Sequence, residues 1–310
     1  MDPESRIVFY KLRQATFPDE DGLFAVVRWD TDESLKIERE GIDLVRKLTE
    51  GKSIAQAASE LSVNINIVLS FLNKLSEAGF IRSINGRKVE QETIKIKPWL
   101  TGIDKKWFSW ILSKPIAYPL FIFIISGLFL GIFKFSSHLT YKSFFWHPDV
   151  FIVFLSLFIT GLILMVIHEF AHFFATKAIG GEAVMRFDHR AFYIVAETES
   201  YHLAVIPRDL RYVVYIAGII IDLVTISCIY WLLYLCMLYG IDLGVIDSYM
   251  HAIVLVQVIS IIWEFNLFLE TDVYLFISDL LKMDNLRSDS LKYIYSHLKK
   301  VKGAYLDSLW

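Results

Sequence analysis

The sequence has few of the residues that would mark a secreted or strongly charged protein. Its only cysteines, Cys228 and Cys236, lie in one apolar run. A helix would separate them by about 12 Å, beyond disulfide reach, which indicates packing residues in a reducing compartment. The net charge is only −3, which excludes strong attraction to an anionic partner. Residues 1–40 are charged throughout and lack an apolar segment, so we expect no cleavable signal peptide.

Apolar residues are what the sequence has in abundance. Hydrophobic residues make up 55% of the chain, with 24 phenylalanines and a mean hydropathy of +0.46. This composition indicates a membrane protein. Four apolar runs are long enough to cross a lipid bilayer: 116–133, 151–167, 212–239 and 252–268.

Basic residues are unevenly distributed among the segments that flank these runs. Segment 168–211 has five Lys or Arg and the chain after residue 281 has six, whereas 134–149 has two and 240–250 has none. Because basic segments stay on the cytoplasmic side, this asymmetry predicts a multi-pass protein of the cell membrane with both termini in the cytoplasm.

Residues 1–95 indicate a soluble domain of mixed helix and strand. Ser53 and Asn64 are predicted helix N-caps, and Asn85-Gly86 is typical of a hairpin turn. The predicted strands are 7–13, 23–29, 34–37, 80–84 and 87–89, and the predicted helices are 38–49, 54–61 and 65–78. This order favours a winged-helix-like fold.

A winged helix often binds DNA, but the charges of this domain argue against that. Residues 1–95 contain 14 Lys or Arg against 16 Asp or Glu, and the third helix offers only Lys74, offset by Glu77. Contacts to phosphates need a basic face, so we expect no nucleic acid partner. The alternative is capture of an extended peptide at the edge of the sheet.

The chain is therefore predicted to be α+β, a small winged-helix-like domain followed by a polytopic α-helical membrane domain. An aromatic and basic connector at 96–115, with Trp99, Trp107 and Trp110, suits the membrane surface. The membrane domain covers 116–290, and 291–310 is a cytoplasmic tail. Within the membrane domain, apolar and polar residues alternate over 182–198, which predicts a hairpin. This hairpin is either a plain connection or a strand edge that holds substrate.

One motif, His168-Glu169-Phe170-Ala171-His172, lies at the end of the second apolar run. Residues four apart share a helix face, so two imidazoles can bind one Zn²⁺ while Glu169 acts as general base. Ionisable side chains are costly within a membrane span and mark function by default. The motif therefore predicts a zinc site rather than two structural histidines.

A catalytic zinc normally has three protein ligands. Asp272, Glu270 and Asp279 follow the fourth run, and Asp222 interrupts the third. The spacing favours Asp272 over the others without excluding them.

Two family resemblances add to these predictions. Tyr10-Lys11-Leu12-Arg13, Glu40–Val45 and the three helices resemble the PqqD-like peptide-recognition domain over about residues 5–90. Such domains bind the leader of ribosomally made, post-translationally modified peptides. The resemblance implies a precursor peptide as partner, but it assigns no individual binding residue.

The second resemblance covers about residues 150–290. The His168–His172 motif, Ala217-Gly218 with its acidic follower, and Asn266 with Asp272-x-Tyr274 resemble the site-2 protease class of intramembrane zinc metallopeptidases, in its peptide-processing branch. The resemblance implies Asp272 as third zinc ligand, Glu169 as catalytic base and Asn266 as a substrate contact.

Together the resemblances imply an intramembrane zinc endopeptidase that matures a peptide precursor before export, with peptide-modifying enzymes and an exporter as further partners. Two alternatives stay open: regulated proteolysis of a membrane-anchored signalling protein, and a non-catalytic, membrane-tethered peptide-binding scaffold. His138, His147 and His251 are predicted to have no role in the site. His189 and His202 could touch substrate, although residues in such a connection are more often solvated loop positions.

Overall fold

The computed structural model describes residues 1–19, 21–31, 33–89, 109–190, 193–283 and 286–307. The predicted connector residues Trp99 and Trp107 lie outside these ranges. The chain divides into two units, Met1–Ser109 with Thr176–Arg211, and Trp110–Ala175 with Tyr212–Trp310. We call them the first unit and the second unit.

The first unit contains two small antiparallel sheets and three helices. The strands are β1 (Ile7–Phe9), β2 (Leu12–Gln14), β3 (Phe24–Arg28), β4 (Ser34–Ile37), β5 (Ile81–Ile84) and β6 (Arg87–Lys88), and the helices are α1 (Arg39–Thr49), α2 (Ile54–Glu60) and α3 (Ile65–Glu77). One sheet has the order β1-β5-β6 and the other has the order β2-β3-β4. The helices pack their apolar faces on these sheets. The helix residues Leu48, Ile54 and Leu72 and the β5 residue Ile81 are all fully buried in this core.

The prediction of one continuous strand over residues 7–13 is wrong. The Tyr10 N–H donates to the Phe80 carbonyl (3.1 Å), whereas the Lys11 carbonyl accepts from the Trp29 N–H (2.8 Å). The chain therefore leaves one sheet at Tyr10 and enters the other at Lys11. A run of alternating residues cannot reveal this change of partner, because β1 and β2 have the same local pattern.

The predicted N-caps of α2 and α3 are confirmed. Ser53 and Gln56 form a reciprocal capping box, with the Ser53 hydroxyl accepting from the Gln56 N–H (3.3 Å) and the Gln56 side chain accepting from the Ser53 N–H (3.0 Å). The Asn64 side chain accepts from the Asn66 N–H (2.9 Å). These bonds satisfy amides that a helix start would otherwise leave unpaired.

A long hairpin completes the first unit. Its strands β7 (Glu182–Arg190) and β8 (Tyr193–Tyr201) pair in register from Glu182 with Tyr201 to Arg190 with Tyr193. The hairpin segment is fixed to the N-terminal residues of the same unit, since Arg13 donates to the Gly180 carbonyl (2.5 Å) and the His202 ring lies 5.2 Å from the Trp29 ring.

The second unit holds most of four helices that are long and apolar enough to cross a membrane. They are α4 (Lys114–Lys134), α5 (Val150–Ile179), α6 (Arg208–Leu238) and α7 (Val245–Trp263), and α8 (Asp272–Leu280) and α9 (Leu286–Asp307) follow. Many of their large side chains face outward, such as Phe121, Phe151 and Phe158, each more than 60% exposed. Such exposure suits lipid and would be unfavourable in water.

Helix α7 ends earlier than the predicted run at 252–268. It stops at Trp263, so Glu264 and Asn266 lie beyond it. The Thr271 hydroxyl donates to the Glu264 carbonyl (2.5 Å), and Glu270 has left-handed backbone geometry (φ 55°). These features reverse the chain into α8. Apolar residues continue through this turn, which is why hydropathy alone misplaced the helix end.

Candidate metal centre

Two histidines from the last turns of α5 face each other in the second unit. His168 and His172 are four residues apart, which places their side chains on one helix face. Their relative exposures are 9% and 6%. The two Nε2 atoms are 3.2 Å apart, so both rings direct the same nitrogen to one point.

Asp272, the first residue of α8, completes a group of three at that point. Its Oδ2 lies 3.2 Å from His168 Nε2 and 2.8 Å from His172 Nε2. Ligands at about 2.1 Å from a tetrahedral metal are about 3.4 Å apart. The observed triangle is close to one face of such a tetrahedron, so the three residues could hold a metal ion.

The other nitrogen of each ring is already bonded. His168 Nδ1 lies 2.9 Å from Asp222 Oδ2, and His172 Nδ1 lies 2.8 Å from the Val214 carbonyl. Both acceptors require an N–H at Nδ1, which leaves a lone pair on each Nε2 when the rings are neutral. Two lone pairs and a carboxylate oxygen therefore converge on one point, and a metal ion there would satisfy all three. This arrangement fits a metal ion.

Gly218 of α6 leaves the space for this group. A Cβ at this position would lie 2.2 Å from His168 Nε2 and 2.5 Å from His172 Nε2, closer than atoms in contact can approach. The close approach at Gly218 is therefore made to the two histidine rings themselves.

Two further polar residues support the group from within the second unit. Gln257 of α7 donates to Asp222 Oδ1 (3.4 Å), which helps to fix the carboxylate that holds His168. Glu264 Oε2 accepts from the Asp272 N–H (3.2 Å), at the start of α8. Sequence reasoning missed both roles, although a glutamine within an apolar span and a carboxylate at its end are signals of function.

The competing carboxylates have other positions. Glu270 forms an ion pair with Arg287 (2.9 Å) and is exposed. Asp279 lies two turns further along α8, outside the group of three. Asp222, considered as an alternative ligand, instead contacts the far side of the His168 ring. Among the predicted candidates, Asp272 is thus the one that the structure places against both histidines.

The two remaining predicted site residues lie on α5 and just after α7. Glu169 follows His168 on α5 and is partly buried. Asn266 is exposed just after α7, where its side-chain amide donates to the Trp263 carbonyl (2.9 Å). Among the histidines, cysteines and carboxylates of the described residues, the group that could hold a metal ion consists of His168, His172 and Asp272.

No protein-family model, no curated protein and no solved structure matches this chain.

Proposed function

We propose that this protein is a membrane-embedded zinc endopeptidase that cleaves a ribosomally made peptide precursor. The observation that carries the proposal is the convergence of His168 Nε2, His172 Nε2 and Asp272 Oδ2. Glu169 is next to His168 in the sequence. Two imidazoles and one carboxylate are a donor set typical of catalytic zinc, which keeps a fourth position open. A structural zinc site is normally closed by four protein ligands and has no use for an adjacent base.

The roles of the residues follow from this donor set. Zinc, when bound, supplies a Lewis acid that polarises a carbonyl and lowers the pKa of water to about 7. Glu169 accepts a proton from the attacking water and passes it to the leaving amine as the peptide bond breaks. Asp222 and the Val214 carbonyl hold the two rings with Nε2 toward the reaction centre.

Two features of the first unit support a peptide substrate. Its order of strands, its three helices and its β5–β6 hairpin are what we would expect of the winged-helix-like, PqqD-like domain that the sequence resembles. Its second hairpin, β7 and β8, offers strand edges along which an extended peptide could lie. The uneven distribution of basic segments favours a cytoplasmic position for both termini, where a newly made precursor would be available.

A second candidate function is cleavage of a membrane-anchored signalling protein. The observation that favours it is the position of both histidines on a helix of 30 residues that is apolar enough to span a bilayer. Such a substrate would bring its own transmembrane helix, whereas the peptide precursor would not.

The proposal is tested with the full chain purified in detergent, by elemental analysis and by mass spectrometry of a precursor peptide encoded beside this gene. We expect about one zinc per chain and a new peptide terminus. Glu169→Gln should keep the metal and abolish cleavage, and Asp272→Ala should lose the metal. Glu270→Gln, which alters the exposed partner of Arg287, is the matched control and should retain both.

An intact precursor in the presence of metal-loaded protein would contradict peptide processing. Cleavage of a single-span membrane substrate in the same preparation would then favour the second candidate. Absence of any bound metal in the purified protein would contradict both.

A further inference from the structure

A groove of about 390 Å³ lies in the first unit, where the two small sheets meet. Tyr10 and Lys11 line it at the point where the chain passes from β1 to β2. Trp29 and Asp30, which follow β3, form a second side, and Arg82 and Lys88 of the β5–β6 hairpin form a third. Its volume is within the range of about 300–1,000 Å³ that is typical of ligand sites.

Positive side chains line this groove. Arg82 and Lys88 are exposed and have no ion-pair partner among the described residues. The Lys11 ammonium lies over the Trp29 ring, 4.4 Å from its centre. Cationic side chains that are close together and unpaired favour an anionic ligand.

Asp30, the acidic residue among the described lining residues, does not cancel this charge. Both carboxylate oxygens of Asp30 accept from the fully buried Arg28 guanidinium, at 2.6 Å and 3.0 Å. Arg28 also donates to the Gly79 carbonyl (2.8 Å) and lies 3.5 Å from the centre of the Tyr10 ring. The Arg28 guanidinium thus neutralises the charge of Asp30, and the remaining side chains that line the groove include cations and aromatic rings.

The aromatic wall is held in place before any ligand binds. The Trp29 ring contacts both the Lys11 ammonium and the buried His202 ring, whose centre is 5.2 Å away. His202 Nε2 is 3.3 Å from the Thr31 carbonyl, which fixes the ring in turn. A rigid aromatic face reduces the entropy lost on binding.

A free strand edge runs beside the groove. The sheet order β1-β5-β6 leaves β6 at an edge within the described residues. The Val89 N–H donates to the Arg82 carbonyl (3.1 Å) and Arg87 pairs with Ile84. In this register, the main-chain N–H and C=O of Lys88 point away from β5, where an extended chain could bond to them.

We infer that this groove binds an extended peptide segment through an acidic side chain, whose carboxylate contacts Arg82 and Lys88 while neighbouring apolar groups contact Tyr10 and Trp29. The inference rests on the proposed capture of peptides by the first unit, and it specifies which chemistry of the peptide is recognised. An acidic peptide is favoured over free phosphate because the groove adds aromatic faces and a strand edge to its positive charge.

The test uses the full chain in neutral detergent and a fluorescein-labelled short peptide of alternating glutamate and leucine, with binding followed by fluorescence anisotropy. Lys88→Glu and Arg82→Glu should each weaken binding by at least about tenfold. Arg87→Glu is the matched control, because Arg87 is also exposed on β6 but does not line the groove. It should bind as the unaltered protein does, and thermal unfolding of each variant verifies folding.

Equal binding to the Lys88→Glu and Arg87→Glu variants, or equal binding of a peptide with glutamine in place of glutamate, would overturn the inference. Competition by phosphatidylglycerol vesicles or inorganic phosphate would also overturn it under two conditions. The competitor would have to displace the acidic peptide from the unaltered protein, and it would have to bind the variants as tightly as it binds the unaltered protein. Because the assay needs neither metal nor cleavage, a failure here combined with normal precursor cleavage would reject the groove alone and leave the proposed protease intact.

Discussion

Buried polar groups have different surroundings in the two units. In the first unit, Arg28 is fully buried, and Asp30, the Gly79 carbonyl and the Tyr10 ring surround its guanidinium. In the second unit, Asp222 and the Val214 carbonyl hold His168 and His172 at Nδ1, and the two Nε2 atoms meet each other and a carboxylate oxygen.

The difference separates a structural group from a binding group. A buried cation that is enclosed by acceptors has no capacity left for a ligand, so its role is to stabilise the fold. Convergent acceptors without a donor between them are unfavourable on their own and become favourable with a cation. Burial and polarity alone therefore do not identify a binding site. Acceptor atoms that converge without a donor do.

The comparison of the two units can be tested by substitution, and the largest change in unfolding free energy is expected for Arg28→Met. Removing the guanidinium leaves Asp30 and the Gly79 carbonyl without their partner, so the first unit should lose about 2–4 kcal/mol of unfolding free energy. Metal content should not change. Thermal unfolding and limited proteolysis measure the first effect, and Arg39→Met, at the exposed start of α1, is the control. Loss of metal from a folded Arg28→Met protein would break the comparison.

The next effect is expected for Gly218→Ala. The added methyl group would overlap both histidine rings, and an overpacked site costs about 1–3 kcal/mol, or about 5- to 150-fold in metal affinity. Competition with a chelator of known affinity measures the loss. Gly161→Ala is the control on α5, because a Cβ there would contact nothing within 4 Å. Equal metal affinity in the two variants would show that the rings do not bind the metal.

A comparable or smaller effect is expected for Asp222→Asn. The amide keeps the size of the side chain but removes the negative charge that orients and polarises His168. Loss of such an outer partner typically lowers metal affinity by about 10- to 100-fold. The same chelator titration applies, with the exposed Asp209→Asn at the start of α6 as control. If Asp222→Asn bound metal as tightly as the control did, Asp222 would only fill space between helices.

The smallest effect concerns the surface of the first unit. Hydrogen bonds from Lys47, and then from Lys52, lower the pKa of Glu60 to about 2 from a usual value of 4.5. A depressed carboxyl pKa stabilises the fold above the unfolded value and loses that contribution as pH falls from 4.5 toward 2. Glu60→Gln should therefore slightly lower the melting temperature at pH 7, and the difference should shrink by pH 3. A difference that grew on acidification would contradict this assignment.

Local patterns predicted the elements that depend on neighbours in sequence. The spacing of His168 and His172 placed both on one helix face, and the capping residues Ser53 and Asn64 marked helix starts at the correct positions. The four apolar runs matched four long helices. Prediction was wrong where the local pattern was ambiguous. Alternating residues led to the prediction of β1 and β2 as one strand, and apolar residues after Trp263 led to a predicted helix that continues past the end of α7.

The sequence by itself determined the two histidines, because helix geometry fixes contacts between residues four apart. Only the tertiary structure decided that Asp272 rather than Glu270 meets them, that Asp222 lies behind His168, and that Gly218 leaves room for both rings. These contacts join residues 104 and 54 positions apart for the two carboxylates. They depend on how α5, α6 and α8 pack, and packing at such separations is set by the whole helix surface rather than by any local pattern.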